Sequence, residues 1–233
     1  MSSKLFIICA ALPIEVKRLC QRWGVDVPSA AKPISAPVTL SNGRARIAVS
    51  GVGGAHMRRL LNSLPPDPVS GWISTGFAGA LIPGLGAGDI LSGTRISSLD
   101  GEAVHPLPLF NDPEKRLIYC SESIARTPRE KRQLHEWTGA EAVDMESLSV
   151  ALHAVSRGEP FGWIRAISDS AEETITFDPS RCLGDDGFPS LLKTGGALLS
   201  KPYWLPYLLR MGRRSLRLSQ RLSQAVAESL QKL

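Results

Sequence analysis

The chain has 233 residues, 43% hydrophobic and 21% charged, with no uninterrupted apolar run of about 18 residues. That composition excludes a membrane-spanning segment and a charge-rich disordered chain, and suits one globular domain. The net charge of +5 is local: Lys201 to Arg221 carries +6 and no acid, which leaves the rest of the chain at −1.

The N-terminal "MSSKLFIICAALPIEV" has an apolar stretch, Leu5 to Leu12, too short for a secretory core and followed at once by Glu15, Lys17 and Arg18. It reads as a buried strand, Leu5–Ala10, running into a helix, Pro13–Trp23, with proline in the first turn. A proline-rich connection, Pro28–Pro37, precedes a strand at Ala45–Ser50, the glycine turn "SGVGG" and a helix at Gly54–Leu64. A second connection, Leu64–Ser70, leads to strands at Trp72–Thr75, Asp89–Ile96 and Leu117–Cys120. Helices follow at Pro128–Trp137 and Met145–Arg157, with Asp144, Met145 and Glu146 at the start of the second. A strand at Phe161–Ile167 and a final helix, roughly Leu208–Leu233, complete the pattern. Several strands are apolar on consecutive residues, as when both faces of a sheet are covered. Strands alternating with helices predict a single α/β domain with a central mixed, mostly parallel sheet.

Glu172 to Leu208 has no clear periodicity, yet its leucines and aromatics argue against disorder. The expected organisation is therefore residues 1–171 and 209–233 as the α/β domain, with 172–208 an apolar and aromatic insertion. Cys9, Cys20, Cys120 and Cys182 show no zinc or redox spacing, which favours reduced thiols in a cytoplasmic setting. His105, His135 and His153 lack ligand spacing, so no metal is expected.

Ligands of open parallel sheets bind beyond the carboxyl ends of the strands. Glu15, Asp169 and Glu146 each follow a strand or open a helix at such a place, as do the glycines of "SGVGG" and the stretch "STGFAG". Bland roles remain open for each. Glu15 and the Asp144–Glu146 pair suit helix starts, Asp169 suits a turn, and the glycines suit a tight strand-to-helix turn. "SGVGG" lacks the dinucleotide-binding spacing.

"CAALPIEV", "SGVGGA", "ISTGFAGALIPGLGAGDIL", "AVDMES" and "PFGWIRAISDSAEE" together resemble the nucleoside phosphorylase/nucleosidase superfamily. The likeness is strongest to methylthioadenosine/S-adenosylhomocysteine nucleosidases, and covers most of Leu5 to Ala171 and the final helix. It implies the nucleoside phosphorylase-like three-layer sandwich, a homodimer, no cofactor, and cleavage of an N-ribosyl bond. It implies that Asp169 protonates or hydrogen-bonds purine N7 and that Glu146 holds ribose hydroxyls. Met145 would lie on the sugar face, Glu15 would orient or deprotonate the attacking water, and Ile124 would lie near the base. Ser74, Gly76, Phe77, Ser168, Gly51 and Gly53, in or beside these motifs, complete the implied substrate-binding set. Asp144 has no implied role beyond the helix start.

Three departures stand out. Phe77 occupies the usual small polar position of "TG-x-AG", the stretch Asp89–Val143 is shorter, and Glu172–Leu208 with its basic extension has no counterpart in those enzymes. Together they resemble the hopanoid-associated phosphorylase branch, whose implied substrate is adenosylhopane. Tyr203, Trp204, Leu205, Tyr207 and Leu208 would then meet the hydrophobic substrate or the membrane, and Arg210, Arg213 and Arg214 anionic head groups. The implied location is peripheral, at the inner face of the cytoplasmic membrane, with no nucleic-acid partner. Phosphate is a possible co-substrate, since the glycine turn offers backbone donors. Glu15, where phosphorylases place an arginine, favours water.

Overall fold

The computed structural model describes residues 4–41, 43–64, 67–111, 115–200 and 202–233. Pro65 and Pro66 of the second proline-rich connection and Lys201 of the basic segment lie outside them. In chain order the elements are β1 (Leu5–Ala10), α1 (Pro13–Trp23), β2 (Val38–Leu40), β3 (Gly43–Val49), α2 (Gly54–Ser63) and β4 (Gly71–Ala80). Then come β5 (Ile90–Gly93), β6 (Arg95–Ser97), β7 (Ala103–Val104), β8 (Leu117–Cys120), α3 (Pro128–Thr138) and β9 (Ala142–Asp144). The chain ends with α4 (Ser147–Arg157), β10 (Phe161–Asp169), α5 (Leu191–Ser200) and α6 (Leu205–Gln231).

β1 alternates its side chains between two cores, and this builds the three layers. Phe6 and Ile8 join Val16 and Leu19 of α1 with Leu218, Leu222 and Val226 of α6. Ile7 and Cys9 join Met57 and Leu61 of α2 with Val150 and Ala154 of α4. Glycine in the left-handed conformation stops α1 at Gly24 and α4 at Gly158, each amide closing back on the last turn.

The sheet is mixed around a parallel centre. β1 lies between β3 and β4, parallel to both, and β10 runs parallel to β4 on its other side. β4 outlasts the expected strand because its last residues find a further partner: Gly79 and Ala80 pair with Val143 and Ala142 of β9. Asp89–Ile96 is two strands, since the chain changes partner at Thr94. β5 pairs with β10 and β6 with β8. β4 thus leads by pairing through β10 to β5, and through β9 and β8 to β6, while Thr94 joins β5 to β6 along the chain.

The described residues of 172–208 include a short 3-10 turn at Pro179–Cys182, α5, and a second such turn at Pro202–Trp204. α6 begins at Leu205, so the final helix takes in the last residues of the expected insertion. Among the described residues no helix is long and apolar enough to cross a membrane. All four cysteines are free, three of them buried.

Candidate active site

Parallel β1, β4 and β10 end on one edge of the sheet, and each delivers part of one crevice. Glu15 sits in the first turn of α1, just beyond β1. Its Oε2 accepts the amides of Ala11 (2.9 Å) and Leu12 (2.8 Å), the helix-start role its position suggested. Its Oε1 crosses to β4 and accepts the Phe77 amide at 2.9 Å. Gly76 makes that reach possible, since a Cβ there would stand 2.6 Å from Glu15 Oε1. Burial pushes the Glu15 carboxyl above the usual carboxylate range, although three backbone donors and Arg165 pull the other way.

The segment "VDMES" differs from its expected form. Asp144 ends strand β9, Glu146 is the N-cap, and helical structure begins at Ser147. Asp144 does hold the helix start, accepting the Ser147 amide at 3.1 Å and its hydroxyl at 2.7 Å. It also does more than that. Its carboxylate receives Nε (2.9 Å) and Nη2 of Arg165, a fully buried guanidinium on β10. Arg165 Nη2 also donates to Ser74 Oγ at 2.7 Å. Ser74, whose hydroxyl accepts from this arginine, is not among the residues that line the pocket of this crevice.

Glu146 Oε1 accepts the Gly53 amide at 2.6 Å, while Oε2 has no hydrogen-bond partner among the described residues. Burial, then the charges of Asp144 and Glu15, push its carboxyl from the ordinary 4.5 to about 8. Between those values the folded protein keeps a proton that the unfolded chain releases, so Glu146 lowers stability as pH rises through that window. Thermal melts of Glu146→Gln should show a gain in Tm over wild type that is larger at pH 8 than at pH 5. A pH-independent difference would contradict this burial effect.

At the end of β10 the register slips: Ile167 pairs with Ala78, but Asp169 pairs with Gly79. The bulge places Ser168 and Asp169 in succession at the crevice. Ser168 Oγ lies 2.5 Å from Asp169 Oδ1 and 3.1 Å from the Ala78 carbonyl. Asp169 Oδ2 receives Lys131 Nζ at 2.6 Å from α3, and Gly79 leaves room for the carboxylate where a Cβ would come within 3.1 Å.

Glu15, Glu146 and Asp169 line one pocket of about 300 Å³, together with Asp144 and Glu173. Met145, Phe77, Ile124 and Ser168 line it too, as do Tyr207, Arg210 and Arg214 from α6. Arg214 is tied down there, donating to Glu173 (2.8 Å) and to the Ser168 carbonyl (2.8 Å). The glycine turn is differently employed. The amides of Gly51, Val52 and Gly53 go to Ala11 O (2.9 Å), Gly187 O (3.0 Å) and Glu146, so they are not free for an anion. Gly51 instead admits the 184–188 loop, whose Asp186 carbonyl would lie 2.3 Å from a Cβ at that position.

The aromatic residues before α6 divide. Trp204 packs edge-on against buried Phe177 at 4.8 Å, so it braces the segment's own interior, whereas Tyr203 is 68% exposed and Leu205 47%. Leu208 lines neither this pocket nor a second groove, of about 730 Å³, along α6. Arg210, Arg213, Arg214, Arg217 and Arg221 line that groove with Leu209 and Gly88.

Lys131 and Arg165 escaped the sequence reading. Lys131 lies in "PREKRQLHEW", which reads as a solvated face, and Arg165 sits within the quoted "WIRAISD" among apolar neighbours, a weak signal of a buried, paired charge.

Searched against curated protein sequences, the chain returns no match. The family model of the Phosphorylase superfamily matches residues 114–181, which span β8 to the 3-10 turn and include Lys131, Glu146 and Asp169. Among solved structures, the Helicobacter pylori 5′-methylthioadenosine/S-adenosyl homocysteine nucleosidase superposes with a TM-score of 0.69 at 19% identity over 100% of both chains. The Chlamydia trachomatis nucleosidase does so at 0.67 and 19% over 99% of both, and Helicobacter pylori futalosine hydrolase at 0.71 and 17% over 99% of both. The single α/β domain with its central mixed sheet flanked by helices thus has the fold seen in these nucleosidase structures.

Proposed function

We propose that this protein cleaves the N-ribosyl bond of a purine nucleoside, releasing adenine, and that its substrate is adenosylhopane. The observation that carries the reaction is the convergence of Glu15, Glu146 and Asp169, from three separate elements, on one pocket. N-ribosyl cleavage builds positive charge on the sugar and negative charge on the base. Carboxyl oxygens at the ribose stabilise the first, and a hydrogen-bonded proton at N7 relieves the second. Glu146, with Oε2 unpartnered, suits the ribose hydroxyls, and Met145 beside it suits the sugar face. Glu15 suits the attacking water. The names of the structurally similar nucleosidases and futalosine hydrolase agree with this reaction class.

Water is favoured over phosphate as acceptor, because the Gly51–Gly53 amides are already bonded and Glu15 would repel an anion. Ribosylhopane is then the product; phosphoribosylhopane would follow from phosphorolysis.

A membrane-resident substrate fits the surface around the pocket. Leu191, Leu192 and Leu199 of α5 are 92%, 86% and 87% exposed, Tyr203, Leu205 and Leu209 are exposed too, and Leu209 lines the arginine groove. Apolar side chains entering an interface flanked by arginines suit an anionic bilayer. Arg213 and Arg217 make no ion pair among the described residues and lie outside the nucleoside pocket. The double variant Arg213→Glu, Arg217→Glu should bind phosphatidylglycerol vesicles at least about tenfold more weakly in co-sedimentation, at roughly 1 kcal/mol per basic side chain. Its turnover of a soluble nucleoside should stay at the wild-type level. Undiminished vesicle binding would contradict the membrane reading.

The likeness to methylthioadenosine nucleosidases supports a second reading, a soluble methylthioadenosine-type substrate. Incubation with adenosylhopane and with methylthioadenosine, each with and without phosphate, decides between them once the sugar product is identified. Preferred cleavage of the lipid, independent of phosphate, supports the proposal, and equal cleavage of methylthioadenosine defeats the lipid assignment. Nucleoside binding without adenine release would make this a binding protein.

A further inference from the structure

α3 presents a charge to the interior, beside the half-buried Leu134. In "PREKRQLHEWT" the buried side chain is Lys131, at 0% exposure. The start of α3 is pinned by a capping box, with Thr127 Oγ1 accepting the Glu130 amide (3.2 Å) and Glu130 Oε2 accepting the Thr127 amide (3.0 Å). This fixes the phase of the helix one residue before Lys131. The ammonium then meets three acceptors: Asp169 Oδ2 at 2.6 Å, the Ser170 carbonyl at 2.6 Å and the Glu173 carbonyl at 3.1 Å. An ammonium has three N–H groups, and all are used.

Burying an ammonium is costly, and replacement of such a pair by apolar residues is often neutral or stabilising, so stability alone gives weak grounds for it. Its placement points to chemistry. The ammonium stands behind the carboxylate assigned to purine N7, on a pocket where the departing base becomes negative. Its bonds to the 170–173 turn also join Asp169 to Glu173, which holds Arg214 of α6 at the pocket wall.

We propose that Lys131 is a positioning residue for departure of the base. It fixes the rotation of the Asp169 carboxylate and sets a permanent positive charge behind it. A preorganised charge of this kind acts in the transition state more than in the ground state, so its removal should lower kcat and leave KM nearly unchanged.

A double-mutant cycle tests this, with melting curves for every variant. Lys131→Met should lower kcat for adenine release by about 10²-fold, with KM within about threefold of wild type. In the Asp169→Asn background the same change should cost less than about threefold, because Lys131 acts through Asp169. Lys131→Arg, which keeps the charge, should retain more activity than Lys131→Gln. Equal losses in both backgrounds would mark a merely structural role and overturn the proposal. If Lys131→Met does not fold, the Arg and Gln variants carry the test: equal kcat for these two overturns it. The proposal rests on the nucleosidase reading. A wild-type protein that releases adenine from no nucleoside removes both, whereas wild-type turnover matched by the Lys131 variants removes this proposal alone.

Discussion

Asp169→Asn is expected to lower kcat for adenine release by roughly 10²–10⁴-fold, the range for loss of a positioned acid–base group. The substitution keeps the size of the side chain and an oxygen for Lys131 to bond, and Lys131 retains the Ser170 and Glu173 carbonyls. A folded but inactive variant is therefore the expected outcome, verified by comparing melting curves with single-turnover rates. The loss should fall on kcat, since N7 gains charge only as the bond breaks. Turnover within about threefold of wild type would remove Asp169 from the reaction.

The second large effect concerns stability. Arg165 is buried with Asp144, and Glu15 and Glu146 feel its charge as well. Arg165→Met would strand the Asp144 carboxylate in a dry interior, a change that costs about 3–5 kcal/mol. For a chain of this length that is a fall in Tm on the order of 10 °C. It would also take from Glu15 and Glu146 a cation that holds their carboxyls down. Combining Arg165→Met with Asp144→Asn should destabilise less than the sum of the two, because the second change removes the stranded charge. Denaturant unfolding measures both. A variant melting within about 2 °C of wild type would show that water reaches this pair.

What the sequence made legible follows the range of the forces involved. α1 begins at Pro13 and ends at Trp23 as expected, because proline, the apolar period and Gly24 are local signals. Glu15, Glu146 and Asp169 could be found because strand ends announce a crevice in a parallel sheet. β9 could not, since three residues leading into a helix carry no period of their own; only pairing with β4 and β8 makes Ala142–Asp144 a strand. The split of Asp89–Ile96 at Thr94 likewise depends on distant partners. Lys131 meets Asp169 across 38 residues, and Arg165 meets Asp144 across 21, so composition and period are silent on both. The hydrogen bond from Arg165 to Ser74, across 91 residues, is equally invisible to local pattern.

The nucleosidase assignment stands or falls on where a purine nucleoside sits. A crystal structure of the protein with a non-hydrolysable adenosine analogue measures this directly. The expected result is adenine N7 within hydrogen-bond distance of Asp169, the ribose hydroxyls on Glu146, and the 5′ substituent leaving past Tyr207 and Met211, two further lining residues of the pocket. A nucleoside bound elsewhere, or one turned so that N7 faces away from Asp169, would contradict it.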